Sequence, residues 1–324
     1  MKKIRTAVIG VGYLGKYHAE KYAALPHAEL VAVCDIDPKR CHSKANELNV
    51  RPVINYRSLI GFVDAVSIAV PTPLHHRVGH FFLDNGVHTL LEKPIATSLE
   101  EADDLIATAQ KNNVILQIGH LERFNSAVKA IESQISSPRF IESLRLAPFK
   151  LRGSDVNVVL DLMIHDIDII QSIVKADIQN ISASGASVLS SYIDIANARI
   201  EFSDGCVANV TASRVSLKTE RKLRIFRHDN YITIDLDHKK IAIHQKGTQE
   251  MYPGIPEIIR QVERFEKGDA LRDEISAFLD SIMYNKLPLV SGEDGKRALA
   301  TALEISLIVR RTNEKFPISS AIVF

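Results

Sequence analysis

The feature that most limits how this chain can fold is a glycine-spaced loop near its start, Gly10-Val11-Gly12-Tyr13-Leu14-Gly15. The loop follows the apolar run IRTAVI and precedes a stretch of helical composition, so it predicts a strand, a tight turn and a helix. Gly10 permits the turn, Gly12 lets a ligand approach the backbone, and Gly15 lets the helix pack closely on the strand. Glycine turns without a ligand are common, so the loop alone leaves that simpler interpretation open.

The residue that strengthens the loop is Asp35, which ends the apolar run VAVCD 20 residues after Gly15. A carboxylate there can accept hydrogen bonds from an adenosine ribose, while the helix N-terminus offers N–H groups to a pyrophosphate. We therefore predict a dinucleotide-binding domain that holds NAD. A carboxylate also repels the additional 2′-phosphate of NADP, but Lys39 and Arg40 lie close enough in sequence to offset part of this repulsion, so NADP stays open.

The order of the predicted elements divides the chain in two. The first 120 residues alternate between short apolar runs and helical stretches, which predicts a doubly wound parallel sheet of the Rossmann type. Ser98, with Glu101 three residues later, predicts a capping box at the start of the fourth helix. Successive strand-like runs then predict a large, mainly antiparallel open sheet. We therefore expect an α/β domain over 1–120 and an α+β domain over 121–324.

Composition excludes several functional classes. The chain is 46% apolar and 24% charged, with a net charge of +1, so it offers no basic surface for nucleic acid. No window approaches about 18 uninterrupted apolar residues, so we expect no membrane span. Cys34, Cys41 and Cys206 lack the spacing of a disulfide framework or a zinc site. We therefore expect no metal and a reducing, cytoplasmic compartment.

The segment DLMIHDIDII at 161–170 places four polar residues in a dense aliphatic stretch. On an α-helix Asp161, His165 and Asp168 are spaced i, i+4 and i+7, so they share one face while the aliphatic residues cover the others. Asp166 points about 100° away, so we expect it to be a solvated or interfacial charge. The shared face can be reactive, and the plainer alternative is a satisfied core histidine beside surface acids.

Several motifs together resemble the glucose-fructose oxidoreductase / inositol dehydrogenase (Gfo/Idh/MocA) family over essentially the whole chain. They are GVGYLGKYH, VPTPLHH at 70–76, Glu92-Lys93-Pro94, GHLERFN at 119–125 and the Asp161…His165…Asp168 spacing. The resemblance implies a Rossmann domain followed by a domain with a large open sheet. It also implies catalytic roles for Lys93, Asp161 and His165, and the family often has a cis peptide before the equivalent of Pro94.

These three residues suit the oxidation of a secondary alcohol. Removal of the hydroxyl proton lets a hydride leave, and this step needs a base that titrates near neutral pH, so we assign His165 as the general base. Asp161 would hold the imidazole or the substrate hydroxyl, and Lys93 would hydrogen-bond the reacting oxygen and stabilise alkoxide charge. Whether Lys93 or His165 takes the proton stays open, and Asp168 is a supporting residue in this hypothesis.

The family pattern adds further contacts. Thr72 and His75 are expected to border the cofactor, although His75 could equally cap the following helix. Arg123 matches an Arg-Phe motif near the family's cleft, and a pair with the adjacent Glu122 is an equal alternative. The predicted cofactor contacts are Gly10, Gly12, Tyr13, Leu14, Gly15, Asp35, Arg40, Thr72, His75, Glu92 and Lys93.

Basic residues before the polar helix provide the predicted substrate contacts. Lys150 and Arg152, together with Arg145, could grip a diphosphate, and they join Arg123 and His165 as candidate substrate-binding residues. The basic residues from Arg214 to Arg224 are instead expected at a solvated edge or a subunit contact.

The hypothesis about the substrate comes from the residues of three motifs. GHLERFN, the basic segment PFKLRG and VVLDLMIHDIDII are similar to UDP-N-acetylglucosamine 3-dehydrogenases, which oxidise the 3-hydroxyl of a sugar nucleotide. The alternatives are a dehydrogenase of a free polyol, inositol or sugar, and a non-catalytic NAD-binding regulator. The broad sheet expected over 180–245 has an outer face that must be covered, so we expect a homodimer or homotetramer.

Overall fold

The structure, a computed structural model, describes residues 3–132, 135, 137–150, 156–265 and 268–315. It contains two compact units, and the first comprises the residues up to Phe124 together with Asp269–Leu299. The second comprises Asn125–Gly268 and the residues from Ala300 onward. The first unit is therefore discontinuous in sequence, because it includes a late segment that the sequence division at residue 120 assigns to the other domain.

A parallel sheet forms the centre of the first unit, as the alternation of strands and helices predicts. Its strands are β1 (Ile4–Ile9), β2 (Ala28–Cys34), β3 (Arg51–Val53), β4 (Ala65–Ile68), β5 (His88–Glu92) and β6 (Leu116–Gly119). Their order is β3-β2-β1-β4-β5-β6, and the direction of progression reverses between β1 and β4. Ligands of such sheets bind outside the carboxyl ends of the strands at this reversal, so the loops after β1, β4 and β5 become the candidate site.

Some of the helices begin at a capping side chain. In chain order they are α1 (Gly15–Ala24), α2 (Pro38–Leu48), α3 (His75–Asp84), α4 (Leu99–Lys111), α5 (Ser126–Glu132), α6 (Ile164–Val174), α7 (Ala270–Met283) and α8 (Gly292–Lys315). Asp37 caps α2, with Pro38 at its first position. Ser98 caps α4 by accepting from the Glu101 amide at 3.3 Å, as predicted. The Glu101 carboxylate accepts from the Thr97 amide at 3.0 Å and from the Thr97 hydroxyl at 2.6 Å.

Helix α7 belongs to the core of the first unit. Its buried residues Ile275, Phe278 and Leu279 pack in one cluster with residues of β1, α1 and β2, among them the fully buried Tyr22. Burying a large apolar side chain contributes about 1.5–3 kcal/mol, so the sheet gains a substantial part of its packing from this late segment. This packing explains why the unit is not a continuous stretch of chain.

An eight-stranded sheet forms the second unit. Its strands are β7 (Phe140–Leu146), β8 (Ile178–Ala186), β9 (Ile195–Phe202), β10 (Val207–Ser213), β11 (Glu220–Phe226), β12 (Asn230–Asp235), β13 (Lys240–Tyr252) and β14 (Ile255–Arg264), in the order β14-β13-β12-β11-β7-β10-β9-β8. Neighbours are antiparallel except β7 and β10. The predicted mainly antiparallel sheet is thus confirmed. Alternation places Ala196, Ala198, Ile200 and Phe202 of β9 on the buried face.

Three elements differ from the sequence prediction. The short β3 and the edge strand β14 were not predicted, because β3 has only three residues and β14 is exposed along most of its length. The predicted helix from residue 161 begins instead with a π-helical turn at Val159–Met163 and becomes α-helical at Ile164. Among the described residues, no helix combines the length and the apolarity needed to cross a membrane.

Candidate active site

The glycine loop after β1 has the geometry that its spacing predicts. Gly10 has a φ of +84°, which only glycine adopts without strain, and its amide donates to the Cys34 carbonyl at 2.7 Å. A Cβ on Gly15 would lie 1.7 Å from the Gly10 carbonyl oxygen, so a side chain there is excluded by the backbone itself. The loop therefore turns back tightly and brings α1 against the strand.

Gly12 differs from its neighbours because a Cβ added there would meet no atom within 4 Å. Packing within the chain thus does not require this glycine, whereas close approach by a ligand does. The adjacent start of α1 has no acidic residue in its first turn, and Leu14 provides no side-chain cap, so the first amides remain oriented toward the loop. Tyr13 is 59% exposed at the same loop. These features fit the diphosphate of a dinucleotide.

Asp35 is held rigidly at the end of β2. Its carboxylate accepts from the Val11 amide and from the Asp37 amide, each at 2.9 Å. Arg40 donates to both carboxylate oxygens at 3.0 Å, and this pairing raises the pKa of the guanidinium. Asp35 is buried, while the Arg40 side chain is 47% exposed. Arg40 therefore lies beside the position predicted for the adenosine ribose, with its charge directed at Asp35.

The Glu92-Lys93-Pro94 motif forms the loop after β5. The Lys93–Pro94 peptide is cis, as expected for the family. The Glu92 carboxylate contacts Nε2 of His18 at 3.0 Å and accepts from the Lys93 amide at 3.3 Å. Burial alone would raise the pKa of Glu92, but the hydrogen bond with His18 and the nearby positive charges lower it. Glu92 thus faces inward and fixes the backbone at Lys93.

His75 supports the same loop from the other side. Its ring is buried, with Nδ1 2.8 Å from the Pro94 carbonyl oxygen and Nε2 2.9 Å from the Val70 carbonyl oxygen. Burial lowers the pKa of the imidazole. Because the ring faces two carbonyl oxygens, His75 does not cap α3, and that alternative is wrong. Thr72 is half-buried in the short 3₁₀ turn Thr72–Leu74. Contact of either residue with a cofactor stays a prediction.

In the second unit, the polar helix is not uniformly α-helical. Asp161 lies in the π-helical turn, His165 lies in the first turn of α6, and both are half-buried. The Asn157 side chain accepts from the Leu160 amide at 2.9 Å and so caps the start of the turn. The i, i+4 spacing expected for a regular α-helix therefore does not describe this pair. Such π turns occur frequently at functional sites.

The expectation that Asp166 is a solvated or interfacial charge is wrong. Asp166 is 2% exposed and forms a bidentate pair with Arg145, at 2.7 and 2.9 Å. Its position about 100° from the Asp161 face turns it toward β7, where Arg145 is also buried. Arg145 is consequently not available to grip a diphosphate, and that part of the predicted basic group is corrected.

A second buried pair corrects the prediction for Arg214. This residue is 4% exposed, donates from Nε to Asp194 at 2.8 Å and from Nη1 to the Val156 carbonyl at 2.6 Å. Asp194 also accepts from the amides of Val188, Leu189 and Ser190. Burial alone would raise the pKa of Asp194, but these donors lower it well below its usual range. Arg214 therefore anchors the loop before β9 instead of lying at a solvated edge.

The remaining substrate candidates are placed differently from one another. Arg123 is buried in the 3₁₀ turn Leu121–Phe124 of the first unit. Lys150 is exposed in the second unit, and Arg152 lies outside the described residues. Lys93 belongs to the first unit, whereas Asp161 and His165 belong to the second. The grouping of these residues around one substrate therefore stays a prediction.

Three buried residues of the first unit, His18, Tyr22 and Glu274, could not be assigned a role from the sequence. His18 is buried on the face of α1 that also carries Tyr22, and their spacing of i and i+4 on one helix was a signal that they share an inward face. Both contact the Ser67 hydroxyl, at 3.3 and 2.9 Å. Glu274 of α7 is fully buried. Its burial could not be predicted, because the same amphipathic helix carries several other charged residues. Within the described ranges, no three His, Cys, Asp or Glu side chains converge as metal ligands would.

Known proteins share both units of this chain. A family model described as "Oxidoreductase family, NAD-binding Rossmann fold" matches residues 4–120, and the "GFO/IDH/MocA C-terminal domain" matches residues 127–233. The chain is 38% identical over 310 residues to UDP-N-acetylglucosamine 3-dehydrogenase of Acidithiobacillus ferrooxidans, covering 95% of this chain and 98% of that protein.

A solved structure of the Acidithiobacillus ferrooxidans enzyme matches at a TM-score of 0.91, with 96% of this chain and 99% of that chain covered at 38% identity. The chain is also 28% identical to scyllo-inositol 2-dehydrogenase (NAD(+)) of Bacillus subtilis, over 90% of each chain. The resemblance inferred from the motifs is thereby confirmed. The chain belongs to the Gfo/Idh/MocA family of oxidoreductases and carries that family's NAD-binding Rossmann domain.

Proposed function

We propose that this protein is an NAD-dependent dehydrogenase that oxidises the 3-hydroxyl of UDP-N-acetylglucosamine to the 3-keto sugar nucleotide. The observation that carries the proposal is the 38% identity to an enzyme of that name over nearly the whole of both chains. The motifs GHLERFN and VVLDLMIHDIDII support the same assignment.

The loops of the first unit provide the proposed cofactor site. Gly12 and the first turn of α1 would hold the diphosphate, and Asp35 would accept hydrogen bonds from the adenosine ribose. The bound NAD supplies the acceptor for a hydride. The buried carboxylate favours NAD, and its bidentate pair with Arg40 leaves that guanidinium less available for a 2′-phosphate. Tyr13, Leu14, Thr72, His75, Glu92 and Lys93 complete the proposed cofactor environment.

The proposed chemistry uses residues from both units. His165 removes the proton of the reacting hydroxyl, and Asp161 orients its imidazole or the hydroxyl. Lys93 donates a hydrogen bond to the reacting oxygen and stabilises negative charge as it develops there. Glu92 and His75 support this role, since Glu92 accepts from the Lys93 amide and His75 contacts the carbonyl oxygen of the following residue, Pro94. Lys93 in place of His165 is the remaining candidate for the base.

The diphosphate of the substrate requires cationic partners. We propose Lys150 and Arg152 for this role, with Arg123 near the sugar. Lys150 is exposed and its segment directly precedes the polar helix, so its ammonium group is free to change position when an anion binds. Arg145 is not proposed as a diphosphate contact, because it is buried in an ion pair with Asp166.

The test is turnover with purified protein, NAD⁺ and UDP-N-acetylglucosamine. We expect NADH to form together with a product that lacks two hydrogens and reacts with hydroxylamine at a new carbonyl, as mass spectrometry would show. His165→Ala and Lys93→Met should lower kcat by roughly 10²- to 10⁴-fold while NADH binding persists. Equal turnover of free N-acetylglucosamine would contradict the need for a nucleotide.

A dehydrogenase of a free polyol is the second candidate. It is favoured by the 28% identity to scyllo-inositol 2-dehydrogenase (NAD(+)) over 90% of each chain. The same assay separates the two candidates, because this alternative requires NADH formation with inositols and none with UDP-N-acetylglucosamine.

We also propose a role for each domain, an oligomeric state and a cellular compartment. Residues 1–120 bind the cofactor, and residues 121–324 provide substrate contacts and self-association as a homodimer or homotetramer. Exposed aliphatic residues on β14 support self-association, with Ile258 61% exposed and Val262 44% exposed. The cysteines at 34, 41 and 206 are buried free thiols, which fits a reducing cytoplasm. Light scattering of wild type and Ile258→Asp tests the assembly.

A further inference from the structure

A buried carboxyl group on α7 has no role in the function proposed above. Glu274 is 0% exposed, and neither carboxyl oxygen has a hydrogen-bond partner among the residues that the structure describes. Its backbone carbonyl accepts from Nε2 of Gln117 at 3.1 Å, which fixes the residue beside β6. A charged carboxylate in this position is costly, because nothing replaces its hydration.

The surroundings of Glu274 favour the neutral, protonated form of its carboxyl group. Burial and then the negative charge of Glu92 raise the pKa of Glu274 well above its usual value. The pKa of Glu92 is lowered instead, because His18 and Lys93 favour its charged form against the effect of burial. The elements packed against α7 are α1, β5 and the 3₁₀ turn. Their titratable or charged groups, with Lys93 directly after β5, are Lys16, Tyr17, His18, Glu20, Lys21, Tyr22, His88, Glu92, Lys93, Glu122 and Arg123.

Glu92 links this cluster to the proposed reaction. One of its oxygens contacts His18 and the other accepts from the Lys93 amide. The carboxylate is also confined by the chain, since a Cβ on Gly119 would lie 3.2 Å from its Cδ and Oε2 atoms. Its orientation therefore depends on its charge and on its hydrogen bonds, and little space is left for another arrangement.

We propose that Glu274 is a positioning residue which, as a buried neutral acid, keeps the single negative charge of the cluster on Glu92, and that Glu92 in turn fixes the backbone of Lys93. Ionisation of Glu274 would place a second negative charge beside Glu92. The repulsion between the two carboxylates then weakens the contacts of Glu92 with His18 and with the Lys93 amide. The inference rests on the proposed function only through the role of Lys93.

The first test measures stability and needs no substrate. A carboxyl whose folded pKa is raised loses stability as pH rises from its unfolded value of about 4.3 toward the folded value. Glu274→Gln removes this loss because the amide does not ionise. We expect its unfolding midpoint, relative to wild type, to rise with pH by about 2 °C or more between about pH 5 and pH 9. A flat or falling difference would overturn the proposal.

The second test measures catalysis. The ratio of kcat for Glu274→Gln to kcat for wild type should increase with pH, because only wild type ionises at this position, while KM for NAD⁺ stays constant. Glu274→Ala removes the side chain and should lower kcat at every pH. A higher kcat for Glu274→Gln than for Glu274→Ala therefore separates the effect of side-chain charge from that of side-chain volume. Glu304→Gln, which changes an exposed acid of α8, is the matched control and should change neither readout. A ratio independent of pH contradicts the proposal.

Failure of the proposed function is distinguishable from failure of this inference. If UDP-N-acetylglucosamine is not oxidised, the stability difference still reports the neutral state of Glu274, and the kcat ratio is measured with whichever alcohol is turned over. If oxidation occurs but the stability difference is flat, the dehydrogenase assignment stands and the role of Glu274 is wrong.

Discussion

The two units bury charge in different ways. In the first unit Glu92 lies at the end of β5 and Glu274 lies on α7, and burial and charge separate the pKa values of these two acids. In the second unit Arg145 pairs with Asp166, and Arg214 pairs with Asp194, each pair with short hydrogen bonds.

The acid cluster of the first unit and the arginine–aspartate pairs of the second unit are suited to different roles. A cluster with one neutral and one charged acid can set the charge beside a loop, which suits the support of Lys93. A closed arginine–aspartate pair joins two elements by charge-assisted hydrogen bonds, which suits the attachment of α6 to the sheet at β7.

Breaking the Arg145–Asp166 pair should have the largest effect. Asp166→Asn leaves the guanidinium of Arg145 buried without its counter-charge, so we expect a loss of about 3–5 kcal/mol in the free energy of unfolding. Urea unfolding followed by circular dichroism measures this. The double variant Arg145→Met/Asp166→Leu removes both charges and should recover most of the loss. If Asp166→Asn alone were neutral, the pair would not be the fixed attachment described here.

Two glycines of the same loop should separate packing from ligand binding. Gly15→Ala places a methyl group 1.7 Å from the Gly10 carbonyl oxygen, so the backbone must shift and stability should fall by about 1–3 kcal/mol. Gly12→Ala meets no atom within 4 Å, so its stability should stay within about 0.5 kcal/mol of wild type. NADH fluorescence should nevertheless show at least about tenfold weaker binding to Gly12→Ala. Unchanged NADH affinity would argue against a diphosphate at this loop.

The charge of Asp35 should set the preference between cofactors. Asp35→Asn removes the carboxylate charge and releases Arg40 from its bidentate pair, so the ratio of NADPH to NADH affinity should increase about tenfold, or about 1.4 kcal/mol. Titration of NADH and NADPH fluorescence measures the ratio. Asp37→Asn is the control for local charge, since Asp37 caps α2 and its carboxylate lies 3.9 Å from Arg40 without a bidentate pair, and the ratio should change much less than with Asp35→Asn.

An exposed ion pair should have the smallest effect. Arg224 and Glu142 face each other across β11 and β7 at 2.7 Å, with both side chains about two-fifths exposed. Arg224→Met should therefore cost about 0–1 kcal/mol, and less at high salt. Urea unfolding at two ionic strengths measures this loss of unfolding free energy, which is then compared with the loss for Asp166→Asn. Equal losses at the two sites would remove the distinction between buried and exposed pairs.

Much of the first unit could be predicted because its signals are local. The loop from Gly10 to Gly15 and the carboxylate of Asp35 lie on consecutive elements, and strand alternation with helices fixes their edge of the sheet. Glu274 could not be predicted in the same way. Its burial depends on α7 returning to a sheet formed by residues far earlier in the chain, and nothing in LRDEISAFLDSIM separates it from the surface acids beside it.

The second unit was predicted less completely, because its charges are satisfied over long separations. Asp166 meets Arg145 and Arg214 meets Asp194 at sequence distances of 21 and 20 residues, so periodicity within one helix or strand cannot reveal the pairs. The π turn at Val159–Met163 also has no sequence signal, since its residues are the same aliphatic types as those of a regular helix.

The discontinuity of the first unit has a consequence during synthesis. When a growing chain has been made only as far as Gly268, β1 to β6 exist but Ile275, Phe278 and Leu279 do not, so the apolar surface around Tyr22 that they cover is still open. Exposed surface of this kind promotes aggregation of nascent chains. The first unit is thus completed only after the ribosome has translated the segment from Asn125 to Gly268 and helix α7.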